Sequence, residues 1–328
     1  MQIECFLTNV YSIDVMAPFC LELQKKGYKC NLALDELFWK VSYGEHFDIQ
    51  KAIKKAKSWG VKLNLKLNYD VDIAVTQWRV DWALFGLYKN LKAKISYGIG
   101  LNKKTNFAGN DFRFDYYFVH GDFEKEILLK NKIDKKRIIK IGFPKLKYEK
   151  VNCFIKKEKP IITYLPTWDD FKCIDIAINK LKDFKDYTLF VKPHPLQSQK
   201  DIEKLSKYFN IIKDCNIKSV VSFSDYIVGD LKSGAIFDVI YHNPDIYLVA
   251  LSKKDNLQYF HSLYNRLSVI TQYDDIKFTK NNFRNTKNYC FSEEWKINEV
   301  DKISPTIQKN ELSILKERLE KSYKALNG

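Results

Sequence analysis

Residues 226–251 constrain the fold most. Tyr226-Ile227-Val228 is a short apolar run ending in Gly229-Asp230, the pattern of a buried parallel strand. Lys232-Ser233-Gly234 turns the chain. Residues 235–241 follow with helix-compatible spacing, and Asn243-Pro244 stops them. Residues 246–251 read as the next strand. This is strand, small-residue turn, helix, strand. Free N–H groups and the dipole at such a helix start favour an anion, and the Ser233 hydroxyl lies within reach of it. The plain alternative is an ordinary helix N-cap in a βαβ unit.

The same alternation runs through the chain. Strands are expected at 3–7, 29–34, 71–76, 94–97, 116–119 and 138–141, with helices at 16–26, 47–59, 82–90 and 122–130 between them. Gly27 and Gly60 stand where helix C-caps are needed. Residues 151–159 are polar and lysine-rich, as a linker would be. The pattern then restarts: strands at 160–165, 188–192 and 211–212, and helices at 174–181 and 200–209, lead into the 226–251 unit. Such alternation implies parallel sheets with helices on both faces. The expected class is α/β, two doubly wound Rossmann-like domains facing a cleft. The expected division is 1–150, 151–305, and a C-terminal amphipathic helix within 306–328 that packs back on the domains.

Composition narrows the function classes. With 45% hydrophobic and 15% aromatic residues among 328, the chain has enough apolar surface for sizeable cores. A formal charge of +15 suits a nucleic acid, an anionic membrane face or a phosphorylated substrate. Its lysines are scattered, however, and no compact basic block stands out, so no nucleic-acid partner is expected. The seven cysteines lack CxxC or metal-ligand spacing and read as reduced, mostly buried thiols. The first residues do not resemble a signal peptide, and no apolar run is long enough for a bilayer. A cytoplasmic protein is expected, with association at the cytoplasmic face of the inner membrane open to its basic surface.

Ligands of doubly wound sheets bind at the carboxyl ends of the strands. The segments to weigh are therefore Thr167-Trp168, residues 192–195, residues 230–234, and, in the first half, residues 9–14, 97–100 and 142–144. Lys192-Pro193-His194-Pro195 carries the most information. Two prolines bracket one histidine on a stiff loop. A lysine beside a rigid histidine suits a pyrophosphate, one as charge and one as donor or acid. The alternative for His194 is a turn-capping role.

In order, Leu165-Pro166-Thr167-Trp168, Lys192-Pro193-His194-Pro195, and Asp230 to Ser233 with Ile236-Phe237-Asp238 behind it resemble the CDP-glycerol glycerophosphotransferase family. Residues 114–119, Glu124-Lys125-Glu126 and Gly142-Phe143-Pro144 extend the resemblance, which spans roughly 95–251. It implies a GT-B fold, whose wider group includes capsule glycosyltransferases and UDP-N-acetylglucosamine 2-epimerases. It places a nucleotide donor on the second half. Thr167, Lys192 and His194 would meet the phosphates. Asp230, Ser233 and Gly234 would line the donor at the helix start, and Asp238 would accept the ribose hydroxyls.

The chain departs from the family in three places. Tyr97 stands where the family has its proposed base, a histidine, and a tyrosine with an ordinary pKa near 10 is a poor base. Asp14, in the first loop facing the cleft, is the substitute candidate, against a plain helix-capping role. Gly98 and His120, which also follows a strand, are expected on the acceptor side. The family's arginine after the tryptophan is replaced by Asp169-Asp170, and Lys232 lengthens the turn before Ser233. The expected activity is transfer of a glycosyl or glycerophosphoryl unit from a cytidine-nucleotide donor to a surface glycan or lipid-linked glycan. No metal is expected, since His194, Lys192 and the helix start balance the phosphates. The alternatives are a UDP-sugar transferase or 2-epimerase on the same fold, a basic nucleic-acid binder, and a degenerate partner subunit.

Overall fold

A computed structural model describes residues 1–36, 48–77, 87–100 and 114–292. The helix expected within 306–328 and most of that expected at 82–90 lie outside them. The first half contains β1 (Gln2–Phe6), α1 (Ile13–Lys25), β2 (Lys29–Ala33), α2 (Ile49–Ser58), β3 (Leu63–Asn64), β4 (Ile73–Thr76) and β5 (Leu91–Ile95). It continues with β6 (Tyr116–Val119), α3 (Asp122–Lys130), β7 (Ile138–Lys140) and α4 (Pro144–Tyr148). The second half opens with β8 (Ile161–Leu165), α5 (Ile174–Leu181), β9 (Thr188–Val191), α6 (Gln199–Ser206), β10 (Asn210–Ile211) and α7 (Ile217–Phe223). It closes with β11 (Tyr226–Asp230), α8 (Ala235–His242), β12 (Tyr247–Leu251), β13 (Val269–Ile270) and α9 (Arg284–Cys290).

The strands form two parallel sheets, ordered β3-β2-β1-β4-β5-β6-β7 and β10-β9-β8-β11-β12-β13. Each runs outward from its first strand in both directions. The switch points therefore lie between β1 and β4 and between β8 and β11, where such sheets take ligands. Strands β4, β6 and β8 are buried along their whole length, as parallel strands covered on both faces should be. Gly27 (φ +88°) and Gly60 (φ +71°) adopt the left-handed backbone that terminates α1 and α2.

Several boundaries move. Helix α1 begins at Ile13, so Asp14 lies in its first turn and not in a loop. The preceding single turn, 10–12, explains this: the Asn9 side chain accepts the Ser12 N–H at 2.9 Å and starts the coil early. Strand β5 ends at Ile95, two residues before Tyr97. The sequence pattern also missed the short elements β3, α7, β13 and α9. Helix α9 returns the chain to the first half, packing on α3 and α8. There the Cys290 carbonyl lies so close to Gly121 that no Cβ would fit, and the Ser292 N–H bonds the His120 carbonyl at 2.7 Å.

The cysteine expectation needs correction. Cys153 and Cys215 form a disulfide across a separation of 62 residues. It fastens the connecting segment to the start of α7, where Asn152 donates to Ser219 and Asp214 and accepts from the Asn216 N–H. Cys5, Cys20, Cys30, Cys173 and Cys290 are free and buried, as expected. Among the described residues no helix is long and apolar enough to cross a membrane.

Candidate active site

At the second switch point, Thr167 lies two residues past the end of β8, and Asp230 ends β11. Asp230 is fully buried. Its carboxylate accepts the Tyr164 hydroxyl at 2.7 Å and the N–H groups of Thr167 and Cys173 at 2.8 and 3.1 Å. Burial pushes its pKa up to about 7, against these three donors. Asp230 therefore does not line the donor site as expected. It is a knot that fixes the loop after β8, because a carboxylate this deep needs every donor it has. Thr167, which it holds, is also buried, and its hydroxyl has no partner among the described residues.

Lys192 and His194 lie on the loop after β9, both partly buried. The Leu196 N–H donates to Nδ1 of His194 at 3.1 Å, which leaves the proton on Nε2. The ring stacks on Trp168, centroids 6.2 Å apart. Burial, with the Lys192 charge adding, pushes the His194 pKa down to about 4. At neutral pH His194 is therefore a neutral ring with one N–H to donate. The Lys192 pKa is also lowered, first by burial and then by the charge of Lys145. Lys192 has no ion-pair partner among the described residues.

Ser233 and Gly234 lead into α8. Ser233 is nearly buried, and its N–H bonds the Asp230 carbonyl at 2.8 Å. Its hydroxyl has no described partner. A Cβ on Gly234 would stand 3.5 Å from the carbonyl oxygen of Ile99, so the first half comes within van der Waals reach of the helix start. One turn on, Asp238 is buried and pairs with Lys145 of α4 at 2.9 Å. The sequence reading missed Lys145. Burial would lower its pKa, but Asp238, Tyr97 and Glu149 together drive it upward. Pro144 at the first position of α4 gives the signal that could have found it, since a helix starting there aims its first turn at the facing domain. Glu149 and His242 make a second cross-pair at 2.6 Å.

The first half divides differently from expectation. His120 is fully buried. Its ring nitrogens lie 2.8 and 3.2 Å from the carbonyls of Gly142 and Ser96, and the ring stacks on Phe143 at 4.1 Å. Its backbone N–H bonds the buried Glu124 carboxylate at 2.6 Å, which the Ser96 hydroxyl also meets. Burial raises the Glu124 pKa, against the His120 charge and these donors. His120 is thus a strut and not an acceptor-side group. A strand-end position alone could not show this.

Gly98 packs over the Phe143 ring, where an added Cβ would sit 3.6 Å away. Tyr97 keeps 37% of its surface exposed. Its pKa is raised, chiefly by desolvation of the hydroxyl and also by Asp14 and Asp238, with Lys145 opposing. It therefore stays a protonated phenol, unsuited to act as a base. Asp14 is partly exposed and pairs with Lys55 at 2.7 Å through one oxygen. The structure thus brings Tyr97, Lys192 and Asp238 each within electrostatic reach of Lys145. Two of the sequence departures also turn out to be one feature, because Lys232 pairs with Asp169 and lies 4.5 Å from the Phe171 ring.

Two facing, doubly wound parallel sheets, each with its own switch point, are the architecture of the GT-B fold. Residues 89–251 match the model of the CDP-Glycerol:Poly(glycerophosphate) glycerophosphotransferase family, the family the sequence resembles. No curated protein matches the sequence. Among solved structures the chain is similar to a variant of the wall teichoic acid polymerase TagF. The identity is 14%, with 97% of this chain and 90% of that one covered, and the TM-score is 0.53. It is likewise similar to the Staphylococcus aureus MnaA–UDP structure, at 12% identity, 81% of each chain and a TM-score of 0.55. A putative UDP-N-acetylglucosamine 2-epimerase of Listeria monocytogenes shares 10% identity over 77% and 79% of the two chains, with a TM-score of 0.52. These likenesses establish the fold.

Proposed function

We propose that the protein transfers a glycerophosphoryl unit from a CDP-glycerol-like donor to a hydroxyl of a growing teichoic-acid, capsule or lipopolysaccharide-type surface polymer. The second half, from about residue 151, would hold the donor and the first half the acceptor. The observation that carries this reading is a Lys192 with no ion-pair partner among the described residues, next to a neutral His194 and near the start of α8. The family match supports a CDP-glycerol-like donor. Phosphates fit between Lys192, the Nε2–H of His194, and the hydroxyls of Thr167 and Ser233, next to the positive end of α8. Asp238 would exchange Lys145 for the ribose hydroxyls when the donor enters, freeing Lys145 for the phosphates. These cations and dipoles would do the charge balancing without a metal. The basic surface would suit an anionic polymer or membrane face.

In the step itself, the acceptor oxygen forms a bond to the glycerol-bearing phosphorus. The bond from that phosphorus to the bridging oxygen breaks, and its electron pair leaves with CMP. Asp14 is proposed to take the acceptor proton. The Tyr97 phenol donates a hydrogen bond, since its raised pKa keeps it protonated.

The test is a thermal-shift panel of CMP, CDP, CDP-glycerol, UDP and UDP-N-acetylglucosamine on the wild type, His194→Ala and Ser233→Ala. A ligand that binds only the folded state raises the melting temperature. Stabilisation by cytidine nucleotides, lost in both variants, is expected. In the transfer assay His194→Ala should lose about 100- to 1,000-fold in rate, as for removal of one preorganised donor. Stabilisation by uridine nucleotides alone would remove the glycerophosphate assignment.

A further inference from the structure

The first switch point carries an unexplained group. The strand registers pair Cys5 with Val75 and Thr76 with Lys94. Continuing them sets Gln77 beside Leu7 and Ile95, at the carboxyl edge between β1, β4 and β5. Gln77 is 4% exposed, and among the described residues neither its amide oxygen nor its amide nitrogen has a hydrogen-bond partner. Buried polar groups are nearly always paired, because an unmade bond forfeits the water it replaced. An amide with both ends unmatched at a ligand-binding edge costs stability in the ligand-free protein.

Its polar neighbours do not relieve it. At the end of β1, Thr8, Asn9 and Ser12 bond one another: the Thr8 and Ser12 hydroxyls lie 3.3 Å apart, and the Asn9 oxygen takes the Ser12 N–H and hydroxyl. Ser96, just past β5, is spent on Glu124. Among the described residues of this edge, Gln77 and the buried Thr76 hydroxyl are left able both to donate and to accept, and Gln77 is the one that offers a full amide. A hydroxyl both donates and accepts, so an amide matches it in either sense. Asp14, the proposed base, begins the helix that follows β1 at the same edge.

We infer that Gln77 is a specificity-determining residue of the acceptor site, binding a hydroxyl of a polyol next to the one that reacts. This rests on the reading that the first half receives the acceptor. A simple sugar or polyol phosphate is the ligand class it would take, since Gln77 reads hydroxyls and leaves any phosphate to the surrounding lysines.

The test joins stability to kinetics in Gln77→Leu and the closer-shaped Gln77→Met. An apolar side chain removes the unmatched amide. Both variants should therefore melt about 2 °C or more above the wild type, on the scale of one relieved buried polar group in a chain of this size. With glycerol 3-phosphate as the acceptor probe, KM for the acceptor should rise about tenfold, while the CMP and CDP thermal shifts stay unchanged. The shift produced by millimolar glycerol 3-phosphate alone should also be lost. A lower melting temperature in both variants would reveal a structural role and overturn the inference, as would an unchanged acceptor KM. If no nucleotide binds the wild type, the donor assignment falls, but Gln77 is still tested by the glycerol 3-phosphate shift. Loss of that shift in the more stable variants supports it, and a retained or absent shift overturns it.

Discussion

His120 and His194 each follow a parallel strand at the carboxyl edge of a sheet, and the two sheets share the same way of winding. Their surroundings are opposite. Two carbonyls, the Phe143 ring and a buried carboxylate enclose His120. Among the described residues, His194 has one nitrogen fixed by the backbone and the other without a partner, with the exposed Trp168 against its face. The difference teaches that a strand-end position nominates a residue and the remaining bonds decide its use. In the first half most strand-end polar groups are consumed internally. In the second, Lys192, His194, Thr167 and Ser233 keep capacity in reserve.

The sharpest break of this comparison is a pair of alanine substitutions. His120→Ala should destabilise the fold by about 3–5 kcal/mol, because it opens a cavity under Phe143 and strands two buried carbonyls. His194→Ala should cost less than about 1 kcal/mol, since the lost ring is partly exposed and strands only one N–H. Urea unfolding of both variants checks this. Equal losses would mean that His194 is a strut like His120.

This contrast also marks what could be read from sequence. The parallel sheets and the two-half organisation were legible, because alternating apolar runs and turn residues are local signals. So were the positions of Lys192, His194 and Ser233 beside strand ends, marked by prolines and small residues. Asp230 was misread because nothing local shows that Tyr164, Thr167 and Cys173 close over it. Lys145 and Gln77 were missed because a cross-cleft pair and an unmet amide exist only after folding. Helix α9 escaped because its seven residues carry little periodicity. The early start of α1 moved Asp14 from loop to helix, through a cap on the preceding turn that the residue spacing did not reveal.

A second, smaller contrast lies in the cysteines. In the first half the sulfurs of Cys5 and Cys30 lie 3.8 Å apart as buried thiols, and burial holds the Cys30 pKa well up. In the second half Cys153 and Cys215 are joined. A reductant should therefore act on the second pair alone. Reduction, or Cys215→Ser, releases the constraint on the unfolded chain and should cost about 2–4 kcal/mol. Mass spectrometry after alkylation, with and without reductant, identifies the pair. Thermal melting under both conditions measures the cost. An unchanged melting temperature would show that the bonds of Asn152 hold the connecting segment unaided.

The smallest effect is a pH slope, and here His194 contrasts with Asp230. The folded protein holds His194 neutral down to about 4, while the unfolded side chain takes up its proton below 6.5. The unfolded state thus binds more protons in that window, and the His194 contribution to stability falls as pH drops from 6.5 towards 4. Asp230 runs the other way. Its folded carboxyl holds a proton up to about 7, which the unfolded chain releases near 3.8, so its contribution falls as pH rises through that range. The two slopes oppose each other in the wild type. Removing the imidazole should leave the Asp230 slope uncovered. After discounting for the partial exposure of His194, the stability of His194→Ala relative to the wild type should improve by about 1–2 kcal/mol between about pH 6.5 and pH 4.5. Urea unfolding at those two values measures it. A variant that loses as much stability on acidification as the wild type would show the ring to be freely hydrated, and the neutral donor assigned to His194 would have to be given up.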